Sequence, residues 1–308
     1  MSMSISNFHV NNEFLIFKSK YFMKAYLFPG QGSQFLGMGK DLYKNSHSAK
    51  KLFQLSDEIL GFKMTSVMFE GTMETLKNTK YTQLAIYIYS VIKAKISNYF
   101  EPDMVAGHSL GEFSALAAIN VFSFEDGLKL VNQRASIMQN ICESTHGGMA
   151  VVFGLEDSII ENACKNDHGI VVPSNYNSPE QLVISGEIQA LRRVCSFLKK
   201  IGAKKIFILP VHGAFHSPIM KPAQTKFQKI VNQIFFKDSK YPIYQNVTAL
   251  PVIKSYDIKK NLVEQLTSPV KWKQSIKNMI AHGAVSFTEM GPGNILQGLI
   301  KKISKNSL

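Results

Sequence analysis

The sequence predicts an α/β protein: a large α/β domain with a parallel sheet, into which a smaller domain is inserted. Two apolar strands, at 25–28 and 104–106, each end in a glycine-rich turn that leads into helical sequence, as is typical of parallel sheets with helical crossovers. Two strand–helix–strand units then follow within about residues 149–209, an order that is the ferredoxin-like pattern. We therefore assign residues 24–147 and 211–308 to the large domain and residues 148–210 to an inserted ferredoxin-like domain.

The first large-domain segment begins with the strand at 25–28, which Pro29 and Gly30 bring to an end. Amphipathic helical sequence then continues to about residue 98 and includes an apolar stretch at 84–92. The remaining predicted elements of this segment are a strand at 104–106, a tight corner at 107–111, a helix at 112–119 and a helix at about 124–142.

The inserted segment alternates strands and helices. Its predicted elements are strands at 149–153, 170–172, 181–185 and 205–209 and helices at 157–166 and 188–201. Gly202 ends the second helix, because glycine readily adopts the left-handed conformation common after helix C-termini. Beyond the insert we predict a loop at 211–218, a helix at about 219–235, an element at 265–272, a strand at 284–289 and a last helix opened by Gly291-Pro292-Gly293.

The composition bounds the class of protein. The chain has 308 residues, of which 45% are hydrophobic, enough for a large domain that carries a smaller one. No apolar run approaches the roughly 18 residues that a membrane span needs, so no membrane partner is predicted. The three cysteines are scattered without disulfide or metal-ligand spacing, which predicts a cytoplasmic protein with no metal and no cofactor. We also expect a monomer.

Residues 1–23 are predicted to be a leader outside the folded part of the chain. They are polar, rich in Ser and Asn, and lack clear periodicity. The apolar segment at 14–17 is too short for a secretory signal. A disordered leader or an upstream start codon is the preferred interpretation. A transit peptide is the alternative, because acidic residues are scarce there, although arginine is absent.

The formal net charge is +13, but the kind of basic residue argues against a nucleic-acid partner. Only Arg134, Arg192 and Arg193 are arginines among the 35 basic residues. Nucleic-acid readers rely on arginine for bidentate contacts, whereas lysines spread this evenly indicate compositional drift. An acidic protein partner fits the charge, because long-range attraction needs only a net positive potential.

The clearest chemical signal is the corner Gly107-His108-Ser109-Leu110-Gly111, which matches the G-x-S-x-G nucleophile elbow of α/β-hydrolase-like sheets. A sharp strand-to-helix turn pushes the serine outward, and the flanking glycines allow a close approach that side chains would block. The serine then lies near a helix N-terminus, where free N–H groups favour negative charge, and the N–H of Leu110 is a ready oxyanion donor. We predict that Ser109 is a catalytic nucleophile.

A serine hydroxyl needs a base to take its proton. His108 adjoins the serine, but at such a corner its side chain must point away from Ser109. His212 and His216 lie in the loop after a strand end, where the active-site loops of α/β proteins gather. The residues alone favour neither of these two histidines.

Two further features are unusual. The turn Pro29-Gly30-Gln31-Gly32-Ser33-Gln34 lacks the Lys-Ser/Thr of a Walker loop and the third glycine of a dinucleotide fingerprint. Such a turn can instead present a backbone N–H to an oxyanion. Arg134 is either a solvated helix residue or, because its planar fork binds carboxylates bidentately, the partner of an acidic substrate.

These segments resemble malonyl-CoA:acyl-carrier-protein transacylases of bacterial-type fatty acid synthesis, over about residues 24–303. They occur in the order of that family, which makes a chance match very improbable. The matching segments are Phe28-Pro29-Gly30-Gln31-Gly32-Ser33-Gln34, Gly107-His108-Ser109-Leu110-Gly111-Glu112, Gln133-Arg134, Gly148-Met149-Ala150, Asn175-Tyr176-Asn177-Ser178-Pro179, Gly213-Ala214-Phe215-His216, Gln265-Leu266 with Ser268-Pro269-Val270-Lys271-Trp272, and Glu289-Met290-Gly291-Pro292-Gly293.

The resemblance implies a reaction and a catalytic pair. Malonyl-CoA would donate its malonyl group to Ser109, and the phosphopantetheine thiol of acyl carrier protein would collect it, with ping-pong kinetics. His216, rather than His212, would be the general base. The backbone carbonyl of Gln265 would orient its imidazole, which is consistent with the lack of an evident triad acid.

The resemblance also implies the substrate contacts. Backbone N–H groups of Gln31 and Leu110 would form the oxyanion hole, and Arg134 would pair with the malonyl carboxylate. Phe215 is the bulky residue typical of malonyl-selective members, so we expect a preference for malonyl over methylmalonyl groups. Leu84 departs from the family, in which proline is frequent at this position, and leaves the path of its helix open.

Two other function classes are weighed against this one. A serine hydrolase of the α/β type shares the elbow, but it expects a triad acid between the serine and the histidine, and the sequence nominates none. A non-catalytic carrier-binding or scaffolding protein could keep the fold, but the intact Ser109 and His216 argue against it.

Overall fold

The computed structural model describes residues 22–211 and 213–305. The predicted leader up to residue 21 and His212, one of the two candidate bases, therefore lie outside the described residues. The first strand begins at Met23, where it pairs with Ala284, so it includes the last residue assigned to the leader.

The described strands form two sheets. In chain order they are β1 (Met23–Phe28), β2 (Met104–Gly107), β3 (Gly147–Phe153), β4 (Val171–Ser178), β5 (Gln181–Glu187), β6 (Lys205–Ile208), β7 (Ile243–Tyr244), β8 (Pro251–Val252) and β9 (Ala284–Glu289).

Helices connect and cover these strands. In chain order the described helices are α1 (Lys40–Asn45), α2 (His47–Leu60), α3 (Met64–Glu70), α4 (Met73–Lys77), α5 (Thr79–Ile96), α6 (Gly111–Ala118), α7 (Phe124–Ser144), α8 (Asp157–Lys165), α9 (Ile188–Lys200), α10 (Lys221–Gln233), α11 (Ser255–Glu264), α12 (Trp272–Ala281) and α13 (Ile295–Lys305). None of them is long and apolar enough to cross a membrane.

The first sheet has the strand order β8-β7-β2-β1-β9 and is mainly parallel. β1 runs parallel to β2 and β9, and β7 runs parallel to β2; β8 is antiparallel to β7. Alternate residues of β1 enter two different cores: Tyr26 and Phe28 pack with the cluster that includes α5, and Ala25 and Leu27 pack with the one that includes α12 and α13. Burial on both faces explains why these strands read as continuous apolar runs. The predicted α/β class is confirmed.

Helix α5 is the most deeply buried long helix of this region. Thirteen of its 18 residues are buried, so its sequence is apolar on nearly all sides rather than amphipathic. Leu84 lies in its interior with no exposed surface, and the helix runs uninterrupted from Thr79 to Ile96. The departure at Leu84 therefore does not break the helix.

The second sheet is antiparallel throughout, with the order β4-β5-β3-β6. It begins at Gly147, one residue before the start of the predicted insert. Helices α8 and α9 bury their apolar faces with this sheet in a core of its own. The sheet is tied to the rest of the chain at Val270, which accepts a hydrogen bond from Tyr176 N (2.9 Å) and donates one to Ser174 O (2.8 Å).

Several elements differ from the prediction. β4 is eight residues long rather than three, because Pro173, Asn175 and Asn177 interrupt its apolar pattern. β7 and β8 have two residues each, too few to show a period of two. The element predicted at 265–272 is wrong: α11 ends at Glu264, turn and loop follow, and α12 starts at Trp272. Proline disfavours helical geometry at the residue before it, so Pro269 helps to keep the two helices apart.

Candidate active site

The corner between β2 and α6 places Ser109 at the carboxyl end of the mainly parallel sheet. Its φ of 52° lies in the left-handed region, which costs a residue with a β-carbon roughly 1–2 kcal/mol. The flanking glycines are required for space: a β-carbon on Gly107 would lie 1.9 Å from the carbonyl carbon of Gly111, and one on Gly111 would lie 2.0 Å from Phe28 O. The corner is thus pressed against β1 while Ser109 lines a cavity.

Ser109 and His216 form a hydrogen-bonded pair. Ser109 Oγ lies 2.8 Å from His216 Nε2, and His216 Nδ1 lies 2.8 Å from the backbone oxygen of Gln265. A carbonyl oxygen only accepts, so Nδ1 carries the ring proton and the lone pair of Nε2 faces the serine hydroxyl. His216 also has a left-handed φ, 56°. Both members of the pair therefore adopt conformations that side chains disfavour, as is frequent at functional sites.

The environment keeps His216 neutral. Burial in the protein interior and the positive charge of Arg134 lower the pKa of His216 to about 3, against the smaller opposing effect of the Gln265 carbonyl. At neutral pH the imidazole is therefore free to accept a proton. The neighbouring His108 does not compete, since its Nε2 lies 2.8 Å from Asn177 Oδ1.

Arg134 extends from α7 into the same site and is almost completely buried. Its Nη2 donates to Ser109 Oγ (3.2 Å) and to Gln265 Oε1 (3.0 Å), and its Nη1 donates to Gln83 Oε1 (2.7 Å). All three acceptors are neutral. Burial lowers the pKa of Arg134 to about 10, so the guanidinium stays charged at neutral pH. A buried cation hydrogen-bonded by neutral groups favours an anionic ligand, because buried charges are normally paired.

The cavity in front of Ser109 has a volume of about 160 Å³. Gln31, Leu110 and Phe215 line it, together with Ser109, His216 and Arg134. The turn that carries Gln31 lies directly on the corner, because a β-carbon on Gly30 would be only 2.4 Å from His108 O.

The structure brings the predicted site residues together. The cavity is lined by Gln31, Ser109, Leu110, Arg134, Phe215 and His216, and Gln265 lies buried behind it. Within residues 22–211 and 213–305, no group of three or more His, Cys, Asp or Glu side chains could hold a metal ion.

Three buried polar residues at the site were not nominated from the sequence. The side chain of Gln83 accepts a hydrogen bond from Arg134, and that of Asn246 accepts one from the backbone N–H of Ser109. The side chain of Glu112 accepts one from the backbone N–H of Asn246. Gln83 could have been noticed as a polar residue in an apolar helical run. Glu112 stood inside the matched motif, and Asn246 is one of a polar pair after a short apolar segment, but neither pattern points to a catalytic serine.

Comparison with known proteins gives consistent matches. The chain matches the family described as acyl transferase domain over residues 25–307. It is 40% identical over 288 residues to the malonyl CoA-acyl carrier protein transacylase of Bacillus subtilis (strain 168), covering 91% of this chain and 90% of that protein.

Solved structures agree with these matches. The chain is similar to an acyl carrier protein S-malonyltransferase from Vibrio cholerae O1 biovar eltor str. N16961, with a TM-score of 0.88 and 37% identity over 92% of this chain and 94% of that one. It is also similar, with a TM-score of 0.89 and 35% identity over 92% and 93% of the two chains, to a structure of a type II PKS acyl-carrier protein in complex with its malonyl-transacylase.

Proposed function

This chain belongs to the acyl transferase domain family, and we propose that it moves the malonyl group of malonyl-CoA to the phosphopantetheine thiol of acyl carrier protein through a malonyl-serine intermediate. Family membership confirms the resemblance carried by the motifs and identifies the chain as an acyltransferase. One observation carries the proposal: the Ser109 hydroxyl lies within hydrogen-bonding distance of both a neutral imidazole and a buried guanidinium.

In the first half-reaction, Ser109 attacks the thioester carbonyl while His216 Nε2 takes the hydroxyl proton. The proton on Nδ1 stays there and remains donated to the Gln265 carbonyl oxygen, so this hydrogen bond stabilises the imidazolium that forms. His216 then returns the proton to the leaving CoA thiolate. The backbone carbonyl of Gln265 takes the orienting role that an acid has in a triad.

Arg134 supplies acid selectivity. Its fork lies beside Ser109 Oγ, so a carboxylate two bonds from the attacked carbonyl can reach the guanidinium while the carbonyl faces the serine. Charge-assisted bonds of this type are roughly twice as strong as neutral ones. An acetyl group has no carboxylate and would gain nothing from this contact.

The tetrahedral oxyanion is assigned to the backbone N–H groups of Gln31 and Leu110, whose residues line the cavity. Phe215 limits the room for a branch on the acyl group. One methyl group typically gives only about 1–3 kcal/mol of discrimination, so we expect malonyl to be preferred over methylmalonyl without an absolute selection.

In the second half-reaction, His216 deprotonates the incoming phosphopantetheine thiol, which attacks the malonyl-serine ester and releases Ser109. The acceptor is inferred from relatives whose names and structures include acyl carrier protein. The net charge of +13 suits attraction of an acidic carrier. The cytoplasmic location and the monomeric state expected from the sequence stay predictions.

The domain description forms part of the same proposal. The order of the second sheet, its antiparallel neighbours and its two helices support a ferredoxin-like insert at about residues 148–210. The parallel strands and the strained serine corner support an α/β-hydrolase-like domain formed by residues 24–147 and 211–308.

Intact-mass spectrometry tests the function. After incubation with malonyl-CoA, the parent protein is expected to gain one malonyl group, and Ser109→Ala none. His216→Ala is expected to acylate about 10²–10⁴-fold more slowly, the usual contribution of a general base.

Carrier protein with its phosphopantetheine arm should then remove the malonyl group, and carrier protein without the arm should not. Loss of the group to water at the same rate with and without carrier would instead indicate a hydrolase. No acylation of the parent protein would reject both enzyme mechanisms.

A further inference from the structure

The backbone of Ser109 needs to be held in place. Left-handed conformations of residues with a β-carbon persist only where the surroundings fix them. Ser109 has such a conformation, and the nearest glycines, Gly107 and Gly111, leave room for the corner but restrict the chain very little by themselves. Contacts from outside the corner are therefore needed to hold the backbone of Ser109.

The side chain of Asn246 spans this corner. Its Oδ1 accepts a hydrogen bond from Ser109 N (2.7 Å), and its Nδ2 donates one to Gly107 O (2.7 Å). A single carboxamide plane thus joins the last residue of β2 to the residue that carries the nucleophile. Gln265 completes the arrangement, because its Nε2 donates to Ser109 O at 3.0 Å. Both backbone polar groups of the serine are thereby bonded by side chains.

Asn246 is itself fixed from several sides. It is completely buried in the chain that follows β7, and its backbone N–H donates to Glu112 Oε1. Its backbone oxygen accepts from Lys271 N (3.0 Å), and its Oδ1 also accepts from Gln265 Nε2 (3.3 Å). Glu112 lies in the first turn of α6, immediately after the corner, and is completely buried as well.

We propose that Asn246 is a positioning residue for the nucleophile: its carboxamide holds Ser109 in the left-handed conformation, and the buried Glu112 carboxyl group fixes Asn246 in turn. This inference rests on the proposed role of Ser109 as the acylated residue. Asn246 does not line the acyl cavity, so it acts through the serine rather than on the substrate.

The arrangement has a consequence for the oxyanion hole. The N–H of Ser109 is bonded to Asn246 and is not available to an oxyanion. Loss of the Asn246 side chain would free this N–H and at the same time release the serine from its fixed geometry. The acylation step should therefore slow while substrate binding changes little.

Asn246→Ala tests this by rapid-quench acylation with malonyl-CoA, read by intact mass. We expect the acylation rate constant to fall about 100-fold, the cost typical of a misplacement near 1 Å, with the KM for malonyl-CoA within about threefold of the parent value. Asn261→Ala is the matched control. Asn261 is a buried asparagine whose Nδ2 donates to Gln245 Oε1 and which makes no bond to the corner, so its acylation should match the parent.

Asn246→Asp separates positioning from simple packing. A protonated aspartic acid can both accept from Ser109 N–H and donate to Gly107 O, whereas the carboxylate cannot donate. Its acylation rate, divided by that of the parent at each pH, should rise as the pH falls. Burial raises the pKa of the adjoining Glu112 carboxyl to about 8, so the ratio is measured below pH 7, where Glu112 stays protonated. Glu112→Gln keeps the acceptor and should retain most of the activity, whereas Glu112→Ala should lose about as much as Asn246→Ala.

The outcomes are distinguishable. A parent protein that is not acylated at Ser109 would overturn the proposed function itself. A normally acylated parent, together with an Asn246→Ala protein that acylates at the same rate, would overturn the positioning role alone. Should Asn246→Ala fail to fold, the pH dependence of the Asn246→Asp ratio decides, and a flat ratio overturns the inference.

Discussion

The two sheets give the cavity two unlike walls. The side contributed by the mainly parallel sheet and its helices carries Ser109, Arg134 and Gln83, which are joined by hydrogen bonds. The side contributed by the antiparallel sheet carries the apolar Met149 and Val183, which are nearly free of exposed surface, and also Asn175 and Asn177 of β4. The first side, the polar wall, hydrogen-bonds Ser109 directly, whereas the second meets the serine corner where Asn177 approaches His108.

The difference between the walls affects the pKa of His216 and the hydrogen bonding of Arg134. The apolar side chains opposite the polar wall lower the local dielectric, so each charge acts more strongly on its neighbours. The lowered pKa of His216 and the hydrogen bonds of Arg134 to neutral acceptors both reflect this setting. The walls meet at His108, whose ring lies 2.8 Å from Asn177 on β4.

Among changes that alter the contrast between the two walls, the largest effect is expected from removing Arg134 from the polar wall. Arg134→Ala should lower malonyl transfer about 100-fold, because a hydrogen bond to a charged group contributes about 1.5–3 kcal/mol. Acetyl transfer should change only a few-fold, since an acetyl group makes no bond to the guanidinium. Single-turnover acylation with malonyl-CoA and acetyl-CoA measures both rates.

Arg134→Lys sharpens this result, because it keeps the charge and loses the planar fork. Its malonyl rate should lie between those of the parent and the alanine variant. Equal losses for malonyl and acetyl groups in Arg134→Ala would mean that the arginine supports the fold of the site rather than the carboxylate. Thermal unfolding of each variant provides the check on folding.

A smaller effect is expected from removing the Phe215 ring, which leaves more room in the cavity for a branched acyl group. Phe215→Ala should raise the rate with methylmalonyl-CoA relative to malonyl-CoA about tenfold. This is at the lower end of what the discrimination of one methyl group, about 1–3 kcal/mol, allows. Val183→Ala, on the antiparallel sheet, is the matched control and should change this ratio less than about twofold if Phe215 alone meets the branch. A larger shift in the control would assign the selectivity to the opposite wall instead.

The sequence was sufficient for the groups that carry local signals. The glycine-framed corner predicted the strained turn at Ser109, and the structure shows the close approach that requires both glycines. The alternation of strands and helices predicted every strand of the antiparallel sheet, although the strand predicted at 170–172 is the eight-residue β4 in the structure. The choice of His216 over His212 came from the family resemblance, because both lie in one loop and no local feature separates them.

The rest of the site depends on contacts that no local pattern encodes. Asn246 meets Ser109 across 137 positions of sequence, and Gln83 meets Arg134 across 51. Their side chains are ordinary amides, whose roles arise only when strand order brings β7 beside β2 and α5 beside α7. The loop at 265–272 was predicted to be an element, but what it contributes to the site is Gln265, held in a turn: its carbonyl oxygen faces His216, and its side chain bonds Arg134 and the backbone oxygen of Ser109.

The smallest expected effect is a pH profile that stays flat where an ordinary histidine would titrate. With its pKa lowered to about 3, chiefly by burial and then by Arg134, His216 remains unprotonated and active as a base when the pH falls from 7 to 5. An imidazole with the usual pKa of about 6.5 would be about 97% protonated at pH 5, and kcat/KM would fall about 25-fold between pH 7 and pH 5. We expect a change below about twofold for malonyl-CoA, since kcat/KM reports the groups of the free enzyme. An acid limb with its midpoint near 6.5 would contradict this desolvated setting.

Arg134→Gln, measured with acetyl-CoA, sharpens the test. Removing the positive charge of Arg134 favours the imidazolium form of His216 and raises its pKa. The acid limb should therefore move to higher pH if the polar wall, and not burial alone, holds His216 neutral.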